Sequence, residues 1–349
     1  MITEERLAAL EAQMAALVEP PTEYYTSRYS GEEIDKGIDG ALQLGGASTP
    51  QGAIAALGAG VRPKLNDNPF FLVNQRGQSS YTVKGYTVDR WKMGTNTATL
   101  DILSDGVKIT LNQAPSNDMR LLHQIIEDPQ RLIGKTIIAA FYVTAVTGTG
   151  FRGGFRANSG TISYQYANIT QPGLYTALFT VPSGCTELLL TTLALAGTPS
   201  GQSITILAAT AEIGNTQTLA YQDDSGAWQL LEQPDPLEVL KCQRYQFTFA
   251  NAMRIRASRI TNSEINFFIP LPTGLRTTPT IVNAQNLQVY SPTGGAAQTG
   301  FAFSCPSGSA AFGNGVTIVA TKSSHGLQDA FLYTNTPGGA NLITLDANL

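Results

Sequence analysis

At 349 residues, 42% of them hydrophobic, the chain is long enough for two or three domains and a large core. Only 14% of residues are charged and the net charge is −4, so the total offers no basic field to gather nucleic acid or an anionic membrane. No run of about 18 apolar residues suggests a membrane span, and no basic stretch followed by an apolar one suggests a secretory signal.

The first segment reads as a helix. Thr3 can cap it, Glu4 and Glu5 suit the positive end of the helix dipole, and Pro20–Pro21 stops it. Leu7, Leu10, Met14 and Leu17 fall at 3-4-3 spacing, the seam of a short coiled coil. An amphipathic helix packed on its own domain gives the same pattern. With a proline break behind it, oligomerisation is the expectation carried forward.

In "YSGEEIDKGIDGALQLGGA", Ser30 and Glu33 form a capping box, and Ile34, Ile38 and Leu42 make one apolar stripe. Gly37 and Gly40 each weaken that helix by about 1 kcal/mol, so it needs a partner surface. The following "ASTPQGAIAALGAGVRP" reads as a linker or a thin stalk wall.

From about residue 68 to 249 the pattern is β. "GVKITLN", "KTIIAAFYVTAV", "GTISYQYANI", "LYTALFTV" and "QSITILAATAEI" are rich in β-branched and aromatic residues, bounded by Gly, Pro, Asn and Ser. Only "MRLLHQIIEDPQRLIGK" interrupts, as an expected helical turn or short helix broken at Pro129. About eight strands without long intervening helices predict a two-sheet sandwich of jelly-roll type rather than a βαβ enzyme. The opening stretch, "NPFFLVNQRGQSSYTVKGYTVDRWKM", is expected to lay down the first strands. Asn74, Gln75 and Arg76 supply hydrogen bonds near Gly77, and Asp89 pairs with Arg90 beside a core Trp91. Past residue 250, short strands cut by Gly-Gly, Ser-Gly and Asn-Gly turns predict a second, smaller β-domain. The expected fold is therefore mainly β. An N-terminal helical attachment region and linker (1–66) precedes a jelly-roll, carbohydrate-binding-like domain (67–250) and a C-terminal β tip (251–349).

Chemistry-bearing residues are few. His123 and His325 are the two histidines, and no Gly-x-Ser-x-Gly elbow is present. His123 reads as structural and His325 as a solvent-exposed loop residue. Cys185, Cys242 and Cys305 are far apart and read as buried free thiols. Asp101, Asp105, Asp223 and Asp224 read as turn residues rather than a glycosidase pair. Asn66–Asp67–Asn68 and Asp223–Asp224 lack the ligand density of a calcium loop. No catalytic residue, metal or cofactor is expected.

Sugar recognition needs an aromatic face with planar polar groups beside it. The sequence offers Tyr221, Asp223, Asp224 and Trp228 in "YQDDSGAWQ", and Phe151, Arg152, Phe155 and Arg156 in "FRGGFRANSG", read as a mobile loop. A plain hairpin with its Trp folded onto the sheet fits the first equally, and a structural or inter-subunit ion pair fits the second. A further candidate is the tip around His325 and Tyr333.

Taken together, "YSGEEIDKGIDGAL", "NPFFLVNQRGQSSYTVKGYTVDRW", "HQIIEDPQRLIGKTIIAAFYVTA", "LEVLKCQRYQFTF", "LRTTPTI" and "LITLDANL" resemble, in that order, segments of phage and prophage fibre proteins of Gram-positive bacteria. In many of those a tyrosine pair follows the equivalent of "CQRY", whereas here Tyr245 is followed by Gln246. The resemblance implies a homotrimeric, non-enzymatic fibre in the virion, assembled in the host cytoplasm. It would mount on a tail, baseplate or capsid through its N-terminal region and bind a bacterial surface glycan. It implies neither a nucleic-acid partner nor membrane insertion. A capsid-mounted head fibre or decoration protein, and a glycan-degrading enzyme on the same scaffold, are the alternatives.

Overall fold

The computed structural model describes residues 63–223, 225–231, 235–249, 253–291, 297–307, 315–334 and 343–348. The helical seam (Leu7, Leu10, Met14, Leu17), the second stripe (Ile34, Ile38, Leu42) and Asp224 lie outside the described residues.

Twelve strands build the first body: β1 (Ser80–Tyr81), β2 (Gly85–Tyr86), β3 (Lys92–Met93), β4 (Ala98–Leu103), β5 (Gly106–Leu111), β6 (Met119–Ile126), β7 (Thr136–Thr147), β8 (Phe151–Asn158), β9 (Ile162–Ile169), β10 (Gly173–Thr180), β11 (Glu187–Ala194) and β12 (Ser203–Ile213). They form two six-stranded sheets, ordered β1-β4-β5-β12-β7-β10 and β2-β3-β6-β11-β8-β9. Strands β5 to β12 alone give 5-12-7-10 facing 6-11-8-9, which is jelly-roll connectivity. The alternation in the sequence sets the faces. On β7, Ile137, Ala139, Phe141 and Val143 enter the shared core, and on β8 Phe151, Phe155 and Ala157 do so.

Two segments depart from the sequence expectation. "MRLLHQII" is β6, not a helix. Its apolar run pairs along β11 with an irregularity in register between Thr191 and Leu193. Tertiary pairing there overrides a local pattern that strand and buried helix share, and only Pro129–Leu132 makes a 3-10 turn. "FRGGFRAN" is not a mobile loop but β8, paired on both sides with β11 and β9. The glycines are there for close packing. A Cβ on Gly153 would come within 2.8 Å of the Phe141 ring, and one on Gly154 within 2.1 Å of the Gln165 carbonyl oxygen.

A short hairpin follows, β13 (Ala220–Gln222) and β14 (Trp228–Leu230). After it come the helix α1 (Glu238–Gln243), β15 (Gln246–Thr248), β16 (Arg254–Arg259), β17 (Glu264–Pro270), β18 (Thr280–Val282), β19 (Leu287–Tyr290), β20 (Ala302–Ser304), β21 (Gly315–Thr321), β22 (Asp329–Thr334) and β23 (Thr344–Asp346). These strands form sheets ordered β15-β23-β18 and β19-β22-β16-β17-β21-β20. Phe267, Val289, Ile318, Leu332 and Leu345, drawn from both sheets, share a second core.

The stretch around residues 68–91 joins the two cores. Phe71 and Trp91 pack at 4.9 Å between ring centroids, and Trp91 Nε1 donates to the Asn68 carbonyl at 2.9 Å. Asp89 and Arg90 do not pair with each other. The Asp89 carboxylate accepts from Gln75 N and Nε2, and Gln75 Nε2 also donates to the Gln246 carbonyl. The Arg90 guanidinium lies 3.4 Å from the centroid of the Tyr245 ring and pairs with Asp67 at 3.0 Å. Glu127 forms an ion pair with Arg276 at 2.9 Å, and Arg76 reaches Asp346 at 3.4 Å. Asn68, Phe71 and Arg90 all hold positive φ (51°, 59° and 72°), a cost of order 1–3 kcal/mol each that these contacts offset.

Candidate functional site

On β8, alternation turns Phe151 and Phe155 inward, to 2% and 0% exposure. Both are core residues and cannot stack on a sugar, which corrects their reading as binding residues. Arg152 and Arg156 take the opposite face. Opposite them on β9, Arg156 faces Tyr164, Gly154 faces Tyr166, and Arg152 faces Asn168. Tyr164 and Tyr166 sit two residues apart on one face of a strand, with rings stacked at 5.3 Å between centroids and 11° between planes. Tyr164 is 63% exposed. Asp118, Arg120, Arg152, Arg156, Tyr164 and Tyr166 line a shallow depression of about 260 Å³ on this sheet face.

The polar groups have defined partners. Arg156 Nη1 bonds Glu187 Oε1 at 2.7 Å. Arg152 Nε donates to Asn168 Oδ1 at 2.8 Å. Asp118 Oδ1 accepts from the Ala196 N–H at 3.0 Å. Burial pushes the Tyr166 phenol up, against the pull of Arg156 and Arg120, so it stays protonated and can donate. His123 lies next to Arg120 along β6, buried, with Nδ1 unbonded among the described residues. Burial first, then the charges of Arg120, Lys92, Lys84 and Arg156, push it down to about 3. It is therefore neutral at physiological pH.

The other sequence candidates fare differently. In the hairpin, Asp223 accepts from Ser225 N and Oγ, Ala227 N and Gln229 Nε2. Hydrogen bonding, led by the Ser225 hydroxyl, holds its carboxyl below the usual range, so its oxygens are used in building the turn. Tyr221 and Trp228 are half-buried on β13 and β14. His325 is not solvent-exposed. It is buried, with Nε2 3.1 Å from the Thr261 carbonyl, and Nδ1 accepts from the Leu327 N–H. All three cysteines are free; Cys185 and Cys242 are buried as expected, whereas Cys305 is only half-buried. Among the described residues no group of three or more His, Cys, Asp or Glu is gathered as metal ligands are.

Two larger hollows are less suited to sugar. One, of about 530 Å³, is lined by Phe70, Leu72, Val73 and Val239 together with the charged side chains of Lys64, Asp235 and Glu238. The other, of about 490 Å³, includes Arg76, Tyr81 and Tyr86. There Arg76 and Lys92 lie 5.8 and 5.2 Å from the Tyr86 ring centroid, and the Tyr81 hydroxyl is bonded to Asn74.

No family model matches the chain, and no curated protein does. Among solved structures it is similar to a candidate sugar-binding protein of Bacteroides thetaiotaomicron, at 12% identity over 44% of this chain and 100% of that one, TM-score 0.28. It is similar to the C-terminal family 22 carbohydrate-binding module of a Clostridium thermocellum protein, at 13% identity over 43% and 98%, TM-score 0.29. A tandem pair of family 22 modules from Paenibacillus barcinonensis gives 10% identity over 83% and 99%, TM-score 0.30. Likenesses of this strength carry no argument, and the functional reading rests on the residues.

Of the residues lining this depression, the sequence points to Arg152 and Arg156 but not to Tyr164, Tyr166, Arg120 or Asp118. The signal for the tyrosines was present. In "ISYQYANI" the two rings alternate with polar residues, which on a strand puts both on one face.

Proposed function

We propose that this chain is a non-enzymatic glycan-binding fibre protein of a phage particle, and that its sugar site is the Tyr164–Tyr166 face. The observation that carries the glycan reading is the stacked tyrosine pair, Tyr164 exposed and Tyr166 half-buried, set among guanidinium groups on an open jelly-roll sheet. An aromatic face stacks on the C–H face of a pyranose ring, while Arg120, Arg152 and Tyr166 offer donors to hydroxyl oxygens. Such a shallow site binds weakly alone. Three copies per fibre and many fibres per particle multiply it by avidity. The trimer, the N-terminal attachment and the virion setting are supported by the ordered resemblance to phage fibres and by the seam at Leu7, Leu10, Met14 and Leu17.

The test is a glycan array probed with the intact chain and with a Tyr164→Ala/Tyr166→Ala double variant. Signal on a defined set of glycans that the double variant loses is the expected result. An array blank for the intact chain, or signal the variant retains in full, would count against the site.

A further inference from the structure

The total charge of the chain is −4, yet the depression is lined by three arginines and one aspartate. Glu187 pairs with Arg156, which still leaves an excess of one positive charge. Arg152 spends its Nε on a neutral amide, Asn168. Arg120 is half-buried and has no carboxylate within ion-pairing distance among the described residues. Lys92 lies farther along the same sheet face, directly opposite His123 in register. Burial above all keeps His123 neutral, and the charges of Arg120, Lys92, Lys84 and Arg156 act in the same direction. A half-buried guanidinium beside an exposed aromatic platform, without an internal counter-ion, is complementary to an anion brought by the ligand.

We infer that the glycan bound at this face is acidic, and that its carboxylate or phosphate is received by Arg120 with support from Arg152. Tyr164 and Tyr166 hold the sugar ring. Arg156 is already committed to Glu187 and shapes the wall. This inference rests on the glycan reading of the same site and adds the charge of the ligand to it. The planar fork of Arg suits both anions, since each presents two oxygens to parallel N–H groups.

The experiment titrates the full-length protein with three probes of matched length. These are an oligogalacturonate, the same oligosaccharide with its carboxyls reduced to alcohols, and a glycerol-phosphate oligomer. Binding of the oligogalacturonate or the phosphate oligomer at least tenfold tighter than the reduced sugar is expected, and which of the two wins identifies the anion. Arg120→Gln should lower the preferred acidic probe by about tenfold and the reduced sugar by a much smaller factor. Raising salt from 0.1 to 0.5 M should weaken only the acidic probes. Arg152→Gln, which removes only a hydrogen bond to Asn168, gives the same comparison if Arg120→Gln fails to fold. Equal binding of acidic and reduced sugars, unmoved by either variant, would overturn the charge inference and leave the glycan reading standing. Binding of none of the probes, together with a blank neutral array, would remove both.

Discussion

Tyr164 is the side chain whose role is most open to test. Being largely exposed, it contributes little to the fold, and its loss should fall on affinity. Stacking of a nucleobase on an aromatic side chain is worth about 1–3 kcal/mol, and the apolar C–H face of a sugar on an exposed ring is expected to be worth a similar amount. Tyr164→Ala is therefore expected to weaken glycan binding about tenfold or more while leaving the thermal midpoint within about a degree or two. Titration calorimetry beside a melting curve checks both halves. Asp89 makes the opposite prediction, on stability alone. Burial pushes its carboxyl up to about 6, against the hydrogen bonds of Gln75. In the unfolded chain the same group ionises near its ordinary value of 3.8. Between those values the folded state holds more proton than the unfolded one, so this group's contribution to stability falls as pH rises from about 4 to about 6 and is flat above. Asp89→Asn should remove that component of the pH dependence, as measured by urea unfolding at a series of pH values.

Strand β8 explains why the fold was more legible than the site. The jelly roll was readable because its strands alternate strongly, and Trp91 was readable as core because a large ring that closes a strand seldom stays exposed. Two glycines in "FRGGFR" looked like a loop because glycine usually weakens a strand. Their real constraint lies in other segments, at the Phe141 ring and the β9 backbone, which local reading cannot see. Read as a loop, β8 loses the alternation that buries Phe151 and Phe155 and turns Arg152 and Arg156 to the opposite face. Taking β6 for a helix hid Arg120 in the same way. The positive face is assembled from β3, β6 and β8, so no charge run announces it in the sequence. Gly154→Ala tests this close approach. A Cβ 2.1 Å from a backbone oxygen cannot be accommodated by a side-chain shift, and a loss of about 1–3 kcal/mol is expected. Chemical denaturation gives that number. A loss below about 0.5 kcal/mol would mean that β9 sits farther from β8 than described.

In the molecule as a whole, the two β cores are joined by the residues that open the first of them. Arg90 stands on Tyr245 and pairs with Asp67, and Gln75 bridges Asp89 to the Gln246 carbonyl. Arg90→Ala removes a buried cation–π contact and strands the Asp67 charge, a loss of roughly 2–4 kcal/mol. Calorimetry is expected to show the two cores unfolding together in the intact chain and in a broadened or divided transition in the variant. The fibre proposal adds a mass. Light scattering on the full chain is expected to give three times 37.1 kDa, and deletion of residues 1–60 should lower it if the N-terminal seam gathers the chains. The measurement that bears most directly on function is a crystal structure of the full chain bound to its strongest array ligand. A sugar ring stacked on Tyr164 or Tyr166, with its polar groups toward Arg120 and Arg152, is the predicted result. A sugar seated elsewhere, with this sheet face bare, would contradict it.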